Sequence, residues 1–325
     1  MPKVSIIIPM YNVENYIETC LDSVMNQTMK DYEVIVIDDG SVDYSYEKAL
    51  EYQKRYPQQM QVFKQENAGQ GAVRNNGVKE ASGEYILFVD SDDTVSEYFV
   101  ERAYKAITES QAAIGIFDAV IVDENRKRKE NMVGCHCPNP ICTLQSYPQI
   151  LFEYPAPWNK IYKKSLFMEN NLGYPTHMWY EDLVGASIFY TTADKIAVIH
   201  DPLYYYMQRS DSVMHSKADA KNIEILKAMD MIQSFYRNKA IYDIYKPELE
   251  YLAIYHILVA AAGRTVKADA KSPFPRQFME YMDDQFPEWR KNIYLNRLSV
   301  LNRLKLYLLD KKQYKILHQL YRLQK

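Results

Sequence analysis

The segment "GEYILFVDSDDT", residues 83–94, ends an apolar run in the closely spaced carboxylates Asp90, Asp92 and Asp93. Acids this near one another repel unless a metal ion, a phosphate-bearing metal complex or solvent takes up their charge. A D-x-D spacing offers a hard divalent cation such as Mg²⁺ or Mn²⁺ one direct ligand and leaves its other positions to a diphosphate and water. A cation so held neutralises charge on a departing phosphate, so the remaining need is one general base. The pair Glu181-Asp182 supplies a candidate. Asp182 stands at the start of a helical pattern, where the helix dipole is expected to favour its charged, proton-accepting form; a plain helix-capping acid is the bland alternative. Arg209, in "YYYMQRSDS", suits a phosphate because its planar fork makes two charge-assisted bonds, or it is a solvated surface arginine.

These groups need a frame. The first 125 residues alternate short apolar runs ("VSIIIP", "YEVIVIDD", "QVFKQ", "YILFVD", "GIFDAVIV") with helical stretches at 14–27, 44–56, 70–81 and 96–109. That order predicts right-handed crossovers and an α/β fold with a mainly parallel sheet flanked by helices. Open sheets of this kind bind ligands beyond the carboxyl ends of their strands. Polar residues gather there: Pro9, Tyr11 and Asn12; Asp38, Asp39, Gly40 and Ser41; then residues 90–93. After Asn125 the alternation breaks. Residues 126–160 are rich in Lys, Arg, Pro and Cys, "APWNKIY" reads as a short strand, a helix starts near Glu181, and "KIAVIHDPLYYY" is another strand. Beyond Ser216 the pattern is helical, so the expected division is 1–215, with a break near residue 125 between an alternating half (1–125) and a second half (126–215), and 216–325, a helical, basic C-terminal domain.

Composition excludes several classes. The 325 residues are 47% hydrophobic and 25% charged, ordinary for a soluble globular chain. A formal charge of −3 argues against a nucleic-acid partner, although residues 291–325 hold nine Lys/Arg and one acid, +8, leaving −11 elsewhere. "MPKVSIIIPMYN" lacks the form of a secretory signal, and "YLAIYHILVAAAG" is shorter than the ~20 residues that cross a bilayer, so a cytoplasmic location is expected. Cys135, Cys137 and Cys142 with His136 form "CHCPNPIC". Without a second ligand pair this predicts reduced thiols rather than structural zinc. "GQGAVR" lacks the third glycine of a dinucleotide loop and follows the wrong strand, and a phosphate-binding G-x-x-x-x-G-K-[ST] is absent. Asp90, Asp92 and Thr94 match the D-x-D-x-T of haloacid-dehalogenase-type phosphatases, but that motif normally ends the first strand of its fold.

Five segments in order, "VSIIIPMYNVENYIETCLDSVMNQT", "YEVIVIDDGSVD", "ENAGQGAVRNNGVKEASGEYILFVDSDD", "YEDLVGASIF" and "PLYYYMQRSDSVM", resemble family 2 of the inverting glycosyltransferases, of GT-A fold. The resemblance covers about 215 residues. It implies that Pro9, Tyr11 and Glu14 line a base pocket, with Asp39 accepting from the base and Asp38 nearby. It implies that Gly69, Arg74, Asp90, Ser91, Arg209 and Ser212 attend the nucleotide sugar, that Asp93 supports the sugar or the loop, that Asp92 binds Mn²⁺ or Mg²⁺, and that Asp182 is the base. Trp158, Lys160, Trp179 and Glu181 fall on the acceptor side; for Trp158 a place in the core is the equal alternative.

The implied reaction is metal-dependent, inverting transfer from a nucleotide-diphosphate sugar, a UDP-sugar above others, to a lipid-linked or protein-linked glycan hydroxyl in bacterial surface-polysaccharide or glycoprotein glycan assembly. A degenerate relative that only scaffolds partners would have no need of Asp90, Asp92, Asp182 and Arg209 together. The tail carries leucines at helical spacing (Leu301, Leu304 and Leu308, then Leu317, Leu320 and Tyr321) among its cations. That pattern predicts a basic helix pair that packs its apolar stripe and attaches peripherally to an anionic membrane, or else pairs subunits in a homo-oligomer.

Overall fold

All seven residues of β1 (Val4–Met10) are buried, as the unbroken apolar run requires of a strand covered on both faces. The computed structural model describes residues 1–170, 172–208 and 219–323. Along the chain β1 is followed by α1 (Ile17–Met25), β2 (Tyr32–Asp38), α2 (Ser45–Arg55), β3 (Met60–Lys64), α3 (Gln70–Glu80), β4 (Tyr85–Phe88), β5 (Thr94–Val95) and α4 (Phe99–Ser110). Then come β6 (Ile114–Val122), β7 (Arg128–Val133), β8 (Ile141–Cys142), β9 (Lys160–Lys163), α5 (Ser165–Glu169), α6 (Glu181–Phe189) and β10 (Ile196–Met207).

The strands form one sheet in the order β3-β2-β1-β4-β9-β6-β10-β5. From β3 to β4 every pairing is parallel, with Ile7 opposite both Ile35 and Phe88. Beyond β4 the sheet is mixed rather than mainly parallel. β9 inserts antiparallel between β4 and β6, β10 runs parallel to β6, and β5 closes the edge antiparallel to β10. β7 and β8, in the stretch expected to be irregular, also pair with β6 and β10. Two-residue strands such as β5 and β8 are too short to show a period of two, and β7 ("RKENMV") is mostly polar, so neither kind shows in the sequence.

Helix α1 buries Ile17, Cys20, Leu21, Val24 and Met25, the i, i+3, i+4, i+7, i+8 face of an amphipathic helix. It starts three residues later than expected. The backbone N–H groups of Val13 and Glu14 donate instead to Ser45 Oγ (2.8 Å) and Asp43 Oδ2 (3.0 Å), which ties the turn after β1 to the start of α2. Helix α3 has almost no apolar stripe and packs by closeness. A Cβ at Gly77 would stand 2.3 Å from Ile7 Cγ2, and one at Gly71 would stand 2.1 Å from the Pro175 carbonyl oxygen.

The chain divides into two compact units, Met1–Ser212 and Val213–Lys325; the expected boundary at 215/216 lies outside the described residues. The second unit holds α7 (Glu224–Asn238), then α8 (Tyr242–Ala253), which continues through a π-helical stretch (Ile254–Ala261) into α9 (Ala262–Ala268). α10 (Phe274–Gln285), α11 (Val300–Asp310) and α12 (Tyr314–Arg322) complete it. In the tail Leu306, Leu308, Leu309 and Leu317 are buried, whereas Leu304, expected on the packed stripe, is 45% exposed. Among the described residues no helix is long and apolar enough to cross a membrane.

Candidate active site

The loop after β4 is tied down from two sides. Asp93 is fully buried, and its carboxylate accepts from Tyr204 Oη (2.7 Å) and from the Met207 backbone N–H (2.7 Å). Tyr204 Oη in turn accepts from the Asp90 backbone N–H (3.0 Å). A register shift around Pro202 in β10 precedes Tyr204, whose ring stacks on Trp158 at 4.6 Å. Asp93 is therefore a strap between this loop and β10, and its two oxygens are engaged within the protein instead of facing a sugar. Burial, with Asp92 and Asp90 nearby, pushes its pKa well up. Ser91 is buried beside it. Arg126, in the β6–β7 turn at φ 59°, donates to the Asp92 carbonyl oxygen (3.3 Å) and to Thr94 Oγ1 (3.1 Å). Sequence patterning missed this residue, because a turn arginine carries no signal until β6 lies two strands from β4.

The end of β2 is a second organised loop. Asp39 accepts from Gln65 Nε2 (2.7 Å) and from the backbone N–H groups of Ala68 (2.9 Å) and Gly69 (2.9 Å). Its carboxylate thus folds residues 65–69 back over the strand ends, in addition to any contact with a base. Gly69 sits at φ +83°, open to glycine at least cost. Asp38 is buried, accepts from the Ser41 N–H and lies 3.6 Å from Lys64 Nζ. Pro9 is buried at the end of β1, Tyr11 is 49% exposed, and Glu14 caps the turn before α2 by accepting from the Tyr44 N–H (3.0 Å).

Arg74 joins these loops to the acids of α6. It is 2% exposed, and its guanidinium donates to Glu181 Oε1 (2.9 Å), Gln70 Oε1 (2.9 Å) and Asp90 Oδ1 (3.5 Å). Burial works against its charge, but Asp90 and Glu181 together hold its pKa well above the ordinary value. Asn75, one residue on, donates to the Tyr174 carbonyl (2.8 Å) and accepts from the Tyr174 N–H (2.8 Å), fixing the segment that leads to α6. Asn75 and Gly71 are positioning residues that the sequence did not single out.

Asp182 is half-buried in the first turn of α6, after Tyr180 in the left-handed region at φ 67°, and accepts from the Leu183 N–H (2.7 Å). Its pKa is pushed up to about 6, chiefly by burial and then by Glu181, with Leu183, Arg74 and Lys160 pulling the other way. The expected effect of the helix dipole was the opposite. Here desolvation and a neighbouring like charge outweigh it. Asp90 is raised for the same first reason, burial.

On the acceptor side the structure corrects one expectation, for Lys160, and decides between the two readings of Trp158. Lys160 is fully buried, and its ammonium donates to the Tyr154 carbonyl (2.8 Å), the Ala156 carbonyl (2.6 Å) and Asn159 Oδ1 (2.7 Å). All three N–H bonds are used on its own loop, so none is left for a ligand. Burial presses its pKa down to about 7, against the pull of Cys135, Asp182 and Glu153. Trp158 is 3% exposed, stacked on Tyr204 (4.6 Å) and Tyr206 (5.2 Å), and belongs to the core. Trp179 and Glu181 are half-buried. Arg209 and Ser212 lie outside the described residues.

The profile of glycosyl transferase family 2 matches residues 5–178, more than half of the chain. The chain belongs to that family. It is 36% identical over 236 residues to a poly(ribitol-phosphate) beta-glucosyltransferase of Bacillus spizizenii, covering 71% of this chain and 36% of that protein. It is 31% identical over 261 residues to the glycosyltransferase GlyA of Streptococcus pneumoniae, covering 74% of this chain and 36% of GlyA. It thus spans about a third of the length of these two relatives. The crystal structure of S. aureus TarS 1–349 in complex with UDP-GlcNAc superposes with a TM-score of 0.70 at 23% identity, covering 99% of this chain and 92% of that one. This chain therefore has the GT-A fold of TarS, with a helical C-terminal region.

The donor set of the family 2 site fits a hard divalent cation. Asp90, Asp92, Glu181 and Asp182 offer the hard carboxylate oxygens such a cation prefers, whereas both oxygens of Asp93 are taken by Tyr204 and Met207. Among the described residues no group of three His, Cys, Asp or Glu side chains could hold a metal alone. Cys135, Cys137 and Cys142 are free, buried thiols, and burial pushes Cys135 up to about 12.

Proposed function

We propose that the protein transfers a sugar, with inversion, from a nucleotide-diphosphate sugar to a hydroxyl of a glycan acceptor, using Asp182 as general base. The observation that carries this is Arg74, which brings Asp90, at the end of β4, within a guanidinium's reach of Glu181 in the same turn as Asp182. Asp182 takes the acceptor proton, the acceptor oxygen bonds to the anomeric carbon, and the anomeric carbon–phosphate oxygen bond breaks on the opposite face. Its electron pair leaves on the diphosphate. An α-linked donor then yields a β-linked product. A pKa of about 6 leaves Asp182 ionised at neutral pH yet more basic than an ordinary carboxylate.

Asp92, with Asp90 beside it, is the residue proposed to hold Mn²⁺ or Mg²⁺, which would supply charge neutralisation for the leaving diphosphate. Lys160 acts on the base only through its charge, which pulls the Asp182 pKa down. The UDP-GlcNAc of the TarS structure supports a UDP-sugar donor, and the poly(ribitol-phosphate) named for the Bacillus relative supports a hydroxyl-rich polymer as acceptor.

Thermal unfolding of wild type and Asp92→Asn with UDP and a panel of UDP-sugars, with and without Mn²⁺, tests this. Saturation at 100 times the dissociation constant stabilises by about 2.7 kcal/mol. Metal-dependent stabilisation by one UDP-sugar, lost in Asp92→Asn, is expected; stabilisation that ignores both the metal and the mutation overturns the assigned role of Asp92.

A further inference from the structure

Residues 153–156 lead into β9 and are clamped at both ends. Glu153 is buried and accepts from the His136 N–H (3.0 Å) and from Tyr147 Oη (3.1 Å). The Tyr154 and Ala156 carbonyls accept from the buried Lys160 ammonium, whose charge-assisted bonds fix this backbone. Between the clamps Tyr154 is 40% exposed. A single exposed ring needs no explanation on its own, but this one is held rigidly and has a particular place.

Tyr154 ends an aromatic row. Its ring packs on Trp158 (5.5 Å between centres, 47° between planes), and Trp158 stacks on Tyr204 and Tyr206. Tyr204 carries the row to the acid loop through its bonds with Asp93 and with the Asp90 N–H. The phenol end of Tyr154 points inward: burial pushes its pKa up, and Tyr206, Asp182, Asp90 and Asp93 add to that in this order. The hydroxyl is thus kept protonated in the field of these acids, while much of the residue reaches solvent. Among them Asp182 acts on it most strongly, so Tyr154 lies on the side where an acceptor hydroxyl would meet its base.

We propose that Tyr154 is the platform on which the acceptor lies, its aromatic face against the C–H face of a pyranose ring. This rests on the transfer reaction proposed above, with Asp182 as base. The C–H groups on one face of a pyranose carry partial positive charge and meet the negative face of an aromatic ring. An open-chain polyol presents no such flat face, so the platform narrows the hydroxyl-rich acceptor to one that offers a cyclic sugar. Trp158 cannot serve in its place, because it is buried between Tyr154 and the rings of β10. A ring already fixed by its backbone and by one neighbour loses little freedom when a sugar settles on it.

The test uses the full chain, wild type, Tyr154→Ala and Tyr154→Leu, with Tyr154→Phe as the ring-preserving control, each with UDP and Mg²⁺ present. Binding of methyl β-D-glucopyranoside, methyl β-D-galactopyranoside and ribitol is read by saturation-transfer difference NMR, and nucleotide affinity by titration with UDP. Circular dichroism checks that the variants fold; should Tyr154→Ala not fold, Tyr154→Leu, which keeps apolar bulk without a ring, is read the same way. Wild type should bind a pyranoside, with saturation strongest at the protons of one ring face. That affinity should fall by roughly fivefold to tenfold in the alanine and leucine variants and stay near wild type in Tyr154→Phe, with UDP affinity unchanged throughout. Pyranoside binding equal in wild type and the alanine variant, or ribitol bound in preference to both pyranosides, overturns the platform. Wild type that binds UDP but no pyranoside overturns this inference alone, whereas wild type that binds neither UDP nor any of the three sugars overturns the transfer reading with it.

Discussion

Asp182 sits under two demands that conflict. A base must be ionised to accept a proton, yet burial and Glu181 lift its pKa to about 6. A carboxyl raised above its unfolded value contributes stability that is present below about pH 4 and is lost as pH rises through about 6. Asp182→Asn should therefore raise stability at pH 7.5, by roughly 1–2 kcal/mol after allowance for its partial exposure, with no gain at pH 4. The same change should lower turnover by about 100- to 10,000-fold, the usual worth of a general base. Wild-type transfer should rise with pH through about 6 and level off above 7. Melting curves at the two pH values and a pH–rate profile check both halves; a variant that is inactive but no more stable at pH 7.5 would show that burial is not what strains this carboxyl. Two residues expected at the site serve the loops themselves: Asp93 holds β10, and Lys160 ties down residues 154–159. Residue type was legible in these cases, but not the partner.

At the scale of elements, the site depends on α3 lying against the segment before α6. Asn75 makes two hydrogen bonds to the backbone of Tyr174, and Gly71 leaves room for the Pro175 carbonyl. Asn75→Ala strands both Tyr174 backbone groups and should cost about 1–3 kcal/mol. Gly71→Ala sets a methyl against a backbone oxygen that cannot rotate away, with a cost of similar size. Both should loosen the Arg74–Glu181 contact and cut kcat more than they change nucleotide affinity. Retention of wild-type melting and kcat in both variants would mean that this segment is not held by α3. The alternating strands and helices of the first 125 residues could be read from apolar runs, since parallel strands buried on both faces leave a continuous signal. β5, β7 and β8 could not, because their pairing partners lie far away in sequence and their own patterns are too short or too polar.

For the molecule as a whole, the helical unit shows its charge and an apolar face together. On α11, Val300 (75% exposed), Leu304 (45%) and Tyr307 (59%) lie at i, i+4, i+7, one outward stripe on a basic helix. We propose that this face rests on an anionic membrane surface, where each nearby cation contributes about 1 kcal/mol. Flotation with phosphatidylglycerol vesicles at low salt should recover the protein. Recovery should fall at high salt and in a variant with serine at 300, 304 and 307; protein that stays with the soluble fraction at low salt would count against attachment.

By itself the sequence determined the kind of protein this is. Apolar runs reported strands, and polar residues at their ends reported where a ligand would sit. Five ordered motifs reported the family. These are local properties, written in the spacing of neighbours. Only the tertiary structure decided that Arg74 would meet Glu181 across 107 residues, that Trp158 would stack inside the core, and that Asp182 would be raised rather than lowered in pKa. Each of those depends on which groups burial and strand order bring together, and desolvation acts through neighbours in space that no reading of one chain segment contains.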